Sequence, residues 1–182
     1  MFKKIEIDGA IYYYDGKNFL DECFIILEGA VLQKVAGAYY SGIDYKKFDR
    51  DKILLYIKRL KANDLTFKAK EVMEYAMLKY DDEEFLYRIL PIYTSCCREM
   101  GLSRVAIERV ENDYSHVGYS AALCTSLAAA CCDIKEYDKA VRYAKKAYAK
   151  QGGGQGYKTE LSLVFLRIKK ETGESFFDEG LD

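Results

Sequence analysis

SAALCTSLAAACCDIKEYDKAVRYAKKAY, residues 120–148, decides how this chain folds. Leu127, Ala128 and Cys131 recur at i, i+1 and i+4, which predicts one apolar face of a helix. Ala140, Ala144 and Ala147 recur at i, i+4 and i+7, which predicts the facing stripe of a second. Small side chains on both stripes let the two backbones approach closely. Between them Asp133 to Asp138 reads as a short polar turn, and Glu136 with Asp138 puts negative charge at the positive end of the second helix dipole. The stretch therefore predicts a helical hairpin.

One such hairpin leaves its outer apolar face uncovered, so neighbours must recur at a fixed period. Ala106, in SRVAIERVEND, lies 34 residues before Ala140, and Ala69, in TFKAKEVMEYAMLKY, lies a further 37 before that. Ala69, Met73 and Ala76 repeat the i, i+4, i+7 stripe. In the middle copy Val110 keeps it, but Asp113 stands where a small residue is expected. The matching first-helix positions are Ile57, Thr94 and Ala128. Gly101 falls at the turn after the middle first helix, where left-handed dihedrals cost glycine little. Downstream, Leu161, Val164, Phe165 and Ile168 in YKTELSLVFLRIKKETG predict one further helix that caps the array.

Over roughly residues 50–172 these repeats resemble the tetratricopeptide (TPR) family. The resemblance implies a mainly α, TPR-like solenoid of helix hairpins, used as a non-catalytic binding module, an adaptor or regulator. It also implies a concave groove lined by the first helix of each pair. Carried onto this sequence one residue at a time, the groove positions are Lys58 and Lys61, then Arg88, Ser95 and Arg98, then Thr125, Ala129 and Cys132, with Arg167 on the capping helix. Such a groove is basic at its rim and small in its middle, which suits an acidic protein or peptide partner. The family's lysine and asparagine clamp for C-terminal carboxylates is not reproduced, since no asparagine occupies these positions.

Residues 1–48 read differently. Ile5 and Ile7 alternate with Lys4 and Glu6, and Asp8-Gly9 is a strong signal for a two-residue hairpin turn. Tyr12 to Tyr14 continue the second strand toward another Asp-Gly, at Asp15-Gly16. The run CFIIL at 23–27 predicts either a third strand or part of a helix opening at Asn18, because a short apolar run does not reveal its period. From Ala30 the spacing of Leu32, Val35, Ala36 and Tyr39 predicts a helix ending near Gly42. The expected organisation is thus an N-terminal β-hairpin plus helix over 1–48 and helical repeats over 49–182.

With 182 residues, 50% of them apolar, the chain can bury a substantial core. Its single proline, Pro91, is expected to kink or split the helix that contains it. No apolar stretch follows MFKKIEIDG as a secretory signal would require, and no run of apolar residues is long enough for a membrane span, so a cytoplasmic protein with no membrane partner is expected. In that compartment the six cysteines read as packing residues rather than disulfides. Cys97 and Cys131 are 34 apart, the repeat length, and adjacent cysteines such as Cys96-Cys97 and Cys131-Cys132 diverge by about 100° on a helix, a poor metal-ligand arm. His116, the one histidine, has no catalytic companion in the sequence and reads as a surface or capping residue. QGGGQGYKT, at 151–159, lacks the Gly-Lys-Thr of a phosphate loop and reads as an inter-helix loop that could order on a partner. The acidic run Asp81 to Glu84 reads as the start of a helix.

A formal net charge of −1 and a pI near 6.0 leave no global basic field for nucleic acid. No cofactor, metal or catalytic residue is expected. The alternative to a peptide partner is RNA or another phosphate-bearing ligand, held by the basic residues and by Tyr12, Tyr13 and Tyr14. The oligomeric state is left open.

Overall fold

The computed structural model describes residues 2–151 and 158–173 and is mainly helical, with a small antiparallel sheet at the N-terminus. The chain divides into two compact units, 1–72 and 73–182, described in turn.

In the first unit, β1 (Lys3–Ile7) and β2 (Ala10–Tyr14) form the expected hairpin, in register from Lys3 opposite Tyr14 to Ile7 opposite Ala10. Asp8 and Gly9 both adopt positive φ, 52° and 80°, the two-residue turn that Asp-Gly favours because its twist matches that of the strands. The second Asp-Gly makes a longer connection. Asp15 Oδ1 accepts from the backbone N–H of Lys17 at 2.7 Å and of Asn18 at 2.6 Å, and β3 (Phe19–Leu20) then returns alongside β2. One sheet face packs on α1 (Gly29–Ser41), where Tyr14 stacks on Phe19 and Tyr39 and Tyr40 pack against Phe19 edge-on.

Residues 23–27 form neither the third strand nor the helix expected of them. The third strand lies earlier, at Phe19–Leu20, and the run contributes a single bridge, Ile26 to Leu20. The cause is Asp21: its carboxylate accepts from the N–H groups of Cys23 and Ile25, both at 2.9 Å, and folds the run into a tight turn. That local bonding competes with a ladder. Beyond α1 come a 3-10 turn (Tyr45–Lys47) and α2 (Arg50–Ala62), capped by Asp49, whose side chain accepts from Lys52 N–H. α3 (Thr66–Lys79) follows and carries the chain into the second unit.

The second unit continues with α4 (Glu83–Glu99), α5 (Ser103–Asp113), α6 (Ala121–Asp133), α7 (Tyr137–Lys150) and α8 (Lys158–Thr172). The predicted small-residue stripes are packed: Ala128, Ala140, Ala144 and Ala147 are fully buried, as are Leu127 and Cys131. Glu111 on α5 ties this hairpin to its neighbour by accepting from Lys139 Nζ at 2.6 Å and the Tyr143 hydroxyl at 2.5 Å. Asp82 caps α4, accepting from Phe85 N–H, with Glu83 and Glu84 in the first turn, as the acidic run predicts. Pro91 does not split α4, which runs through it without a break. Asp113 is the last residue of α5, which has 11 residues against 14 in α3 and α7, so it reaches solvent rather than the core and no small side chain is required there.

The clearest structural sign of internal repetition lies in the turns. α2, α4 and α6 all end in the same two-bond stop, in which the second residue past the cap donates back five positions: Leu65 N–H to Leu60 O at 2.9 Å, Leu102 to Cys97 at 2.7 Å, Glu136 to Cys131 at 2.9 Å. The preceding residues, Asp64, Gly101 and Lys135, take φ of 56°, 72° and 62°. This is the left-handed stop that closes many helices, and it occurs here at spacings of 37 and 34, the spacings of Ala69, Ala106 and Ala140.

Candidate functional site

A cleft of about 330 Å3 opens on the second unit, lined by α4 (Ser95, Arg98), α6 (Thr125, Ser126, Ala129) and α8 (Glu160, Leu163, Val164, Arg167). Its floor is small because α6 packs closely on its neighbours. Thr125 and Ala129 are buried, and the Thr125 hydroxyl donates to Ala121 O one turn back, at 2.9 Å. Leu163 forms an apolar lip, 61% exposed.

The arginines are organised by a residue that the repeat pattern does not single out. Asp133, the last residue of α6, accepts from Arg98 Nε at 2.8 Å through one carboxylate oxygen and from Arg167 Nη1 at 2.5 Å through the other. Ser103 Oγ adds a third bond, at 2.9 Å. Burial works against the charged form of Asp133. The bonds from Arg98, Arg167 and Ser103, with the Arg98 charge, outweigh it and hold the carboxyl below its ordinary value. One carboxylate thus fixes two guanidinium groups from different helices, and each guanidinium keeps further N–H groups for a ligand.

Four of the seven charged or hydroxyl positions expected in a groove, Ser95, Arg98, Thr125 and Arg167, meet in this cleft, together with the expected Ala129. Arg88 is exposed on α4 and does not line it. Lys58 and Lys61 lie on α2, exposed and half-buried, in the other unit. Two expectations need correction. Cys132 is buried rather than groove-facing, and burial pushes its thiol pKa up. Arg98 and Arg167 do not stand as unpaired rim charges: with Asp133 and Glu160 close by, the cleft is locally near neutral, so an acidic ligand would be recognised by oriented N–H groups more than by net field.

The remaining chemistry-bearing residues are dispersed. All six cysteines are free thiols; Cys23 is exposed and the other five are buried. His116 is exposed in the loop after α5, beside the Tyr114 ring. Among the described residues no group of three or more His, Cys, Asp or Glu is placed to hold a metal ion, and no helix is long and apolar enough to cross a membrane. The glycine-rich loop expected at 152–156 lies outside the described residues. No family model matches the chain, and neither a curated protein nor a solved structure matches it significantly.

Proposed function

We propose that this chain is a non-catalytic, TPR-like binding module whose cleft between α4, α6 and α8 holds a short extended peptide carrying an acidic group, in an adaptor or regulatory role. The observation that carries this reading is the pairing of a floor of small side chains at Thr125 and Ala129 with two guanidinium groups held in place by Asp133. A floor without bulk admits a peptide backbone, and the free N–H groups of Arg98 and Arg167 match a carboxylate in bidentate fashion. The cleft's volume, at the lower end of the range for ligand sites, admits one or two peptide side chains. The recurring left-handed stops after α2, α4 and α6 support reading those three as the corresponding first helices of repeated hairpins. The alternative of RNA loses one of its stacking residues, because Tyr14 is buried against Phe19.

Peptides selected by display on the purified chain test this directly. The expected consensus contains an acidic residue, and Leu163→Glu, an exposed change at the lip, weakens the selected peptides at least about tenfold with an unaltered melt, because surface substitutions cost little stability. Selected peptides that bind Leu163→Glu and Arg167→Ala as well as the unsubstituted chain would overturn the assignment.

A further inference from the structure

The outer strand of the N-terminal sheet has a charge pattern that complements itself. β1 is paired on one side with β2; on its other side none of its backbone groups meets a backbone partner among the described residues. Lys3, Ile5 and Ile7 lie on the face toward α1, where the Lys3 ammonium sits 4.7 Å from the centre of the Tyr39 ring and both isoleucines are half-buried. Lys4 and Glu6 therefore point to the opposite face. They are 56% and 67% exposed, with Lys4 Nζ and Glu6 Oε2 3.8 Å apart.

We propose that β1 pairs antiparallel with β1 of a second copy of this chain, Ile5 opposite Ile5, giving a continuous six-stranded sheet. In that register Lys4 of each copy stands opposite Glu6 of the other, and the four charges alternate in sign around the two-fold axis. Directly opposed cross-strand ion pairs stabilise, and opposed like charges destabilise. Shifting the register by two residues in one direction sets Lys4 against Lys4, and in the other Glu6 against Glu6. A shift of one residue sets the outward-pointing backbone groups of one strand against residues whose own groups point to β2, so no regular ladder forms. The charges thus select one register from those nearby, while two adjacent lysines discourage unspecific pairing of an exposed edge. Two five-residue strands make a small interface, so the dimer is weak and transient.

Sedimentation equilibrium of the full chain tests this, with circular dichroism confirming the fold of each variant. The unsubstituted chain is expected to shift from monomer to dimer as its concentration rises toward about 1 mM, the range of weak, small interfaces. Lys4→Glu and Glu6→Lys each put like charges face to face twice per dimer and should raise the dissociation constant at least about tenfold. The double variant carrying both changes restores alternation and should recover the dimer. A chain that stays monomeric throughout, single variants that associate as the unsubstituted chain does, or a double variant no better than the singles would each overturn the proposal.

Discussion

Gly101 and Lys135, 34 residues apart, occupy the same left-handed backbone conformation, with φ of 72° and 62°, each one residue past the cap of a helix that ends in the same pair of hydrogen bonds. Only one of them is the residue that this conformation favours. A side chain at positive φ costs roughly 1–2 kcal/mol. Nothing lies within 4 Å of a Cβ built at Gly101, so backbone strain alone distinguishes the two sites. Gly101→Ala should lower unfolding stability by roughly 1–2 kcal/mol, and Lys135→Gly should raise it by up to roughly 1 kcal/mol once the greater freedom of unfolded glycine is subtracted. Urea unfolding of the two variants checks the pair, and a stabilising alanine at 101 would refute the equivalence of the turns.

Asp133→Asn removes the charge that gathers Arg98, Arg167 and Ser103. Charge-assisted bonds are stronger than neutral ones, but this side chain is 27% exposed and partly screened, so a loss of about 1–2 kcal/mol is expected. Because the carboxyl titrates below its ordinary value of 3.8 in the folded chain, its contribution is complete above about pH 5 and is lost as the pH falls through the folded value. The stability difference between the unsubstituted chain and Asp133→Asn should therefore be constant from pH 7 to about 5 and shrink on further acidification. A difference that grows toward low pH would contradict the role assigned to Asp133.

Thiol reactivity separates one cysteine from five. Cys23 is exposed, whereas burial pushes the Cys131 pKa up to about 12 and raises those of Cys124 and Cys132. Since the thiolate is the reacting form, a disulfide reagent at pH 8 should titrate one thiol per native chain promptly and all six after unfolding. A chelator should leave both the count and the melting temperature unchanged. Prompt titration of three or more thiols in the native chain would mean that the helical core is not closed.

Ala140 is fully buried on α7 and Ala149, on the same helix, is exposed. Leucine at 140 inserts three carbons where two helices touch and should destabilise by roughly 1–3 kcal/mol or more, while leucine at 149 should change little. Equal melting temperatures for the two variants would contradict the close packing of α6 on α7.

The parts of this structure legible in the sequence are those set by periodic packing or by turn chemistry. The stripe of Ala140, Ala144 and Ala147 could be read because only small residues fit where backbones approach, and Asp8-Gly9 because its hairpin turn needs two positive φ angles. Ser95, Thr125 and Ala129, which line one cleft, follow from the sequence only through the resemblance to the TPR family and its groove-facing offsets. Asp133 could not. Its role depends on guanidinium groups arriving from 35 residues before and 34 after, and a lone aspartate before a turn reads as polar punctuation. The near-repeat spacing of Arg98, Asp133 and Arg167 was the available signal. Residues 23–27 misled because the deciding residue, Asp21, lies outside the apolar run and acts through its side chain, which no hydrophobic period records.

The cleft between α4, α6 and α8 is the proposed seat of the peptide. Its most direct test places a photoactivatable benzoylphenylalanine at position 163, on the lip of the cleft, and in a separate variant at position 148, also solvent-accessible, on α7 where Tyr148 is 50% exposed. A display-selected acidic peptide is then added and irradiated. A covalent adduct is expected from position 163, suppressed by excess unlabelled peptide, and none from position 148. Adducts from 148 alone, or from both positions alike, would contradict this placement.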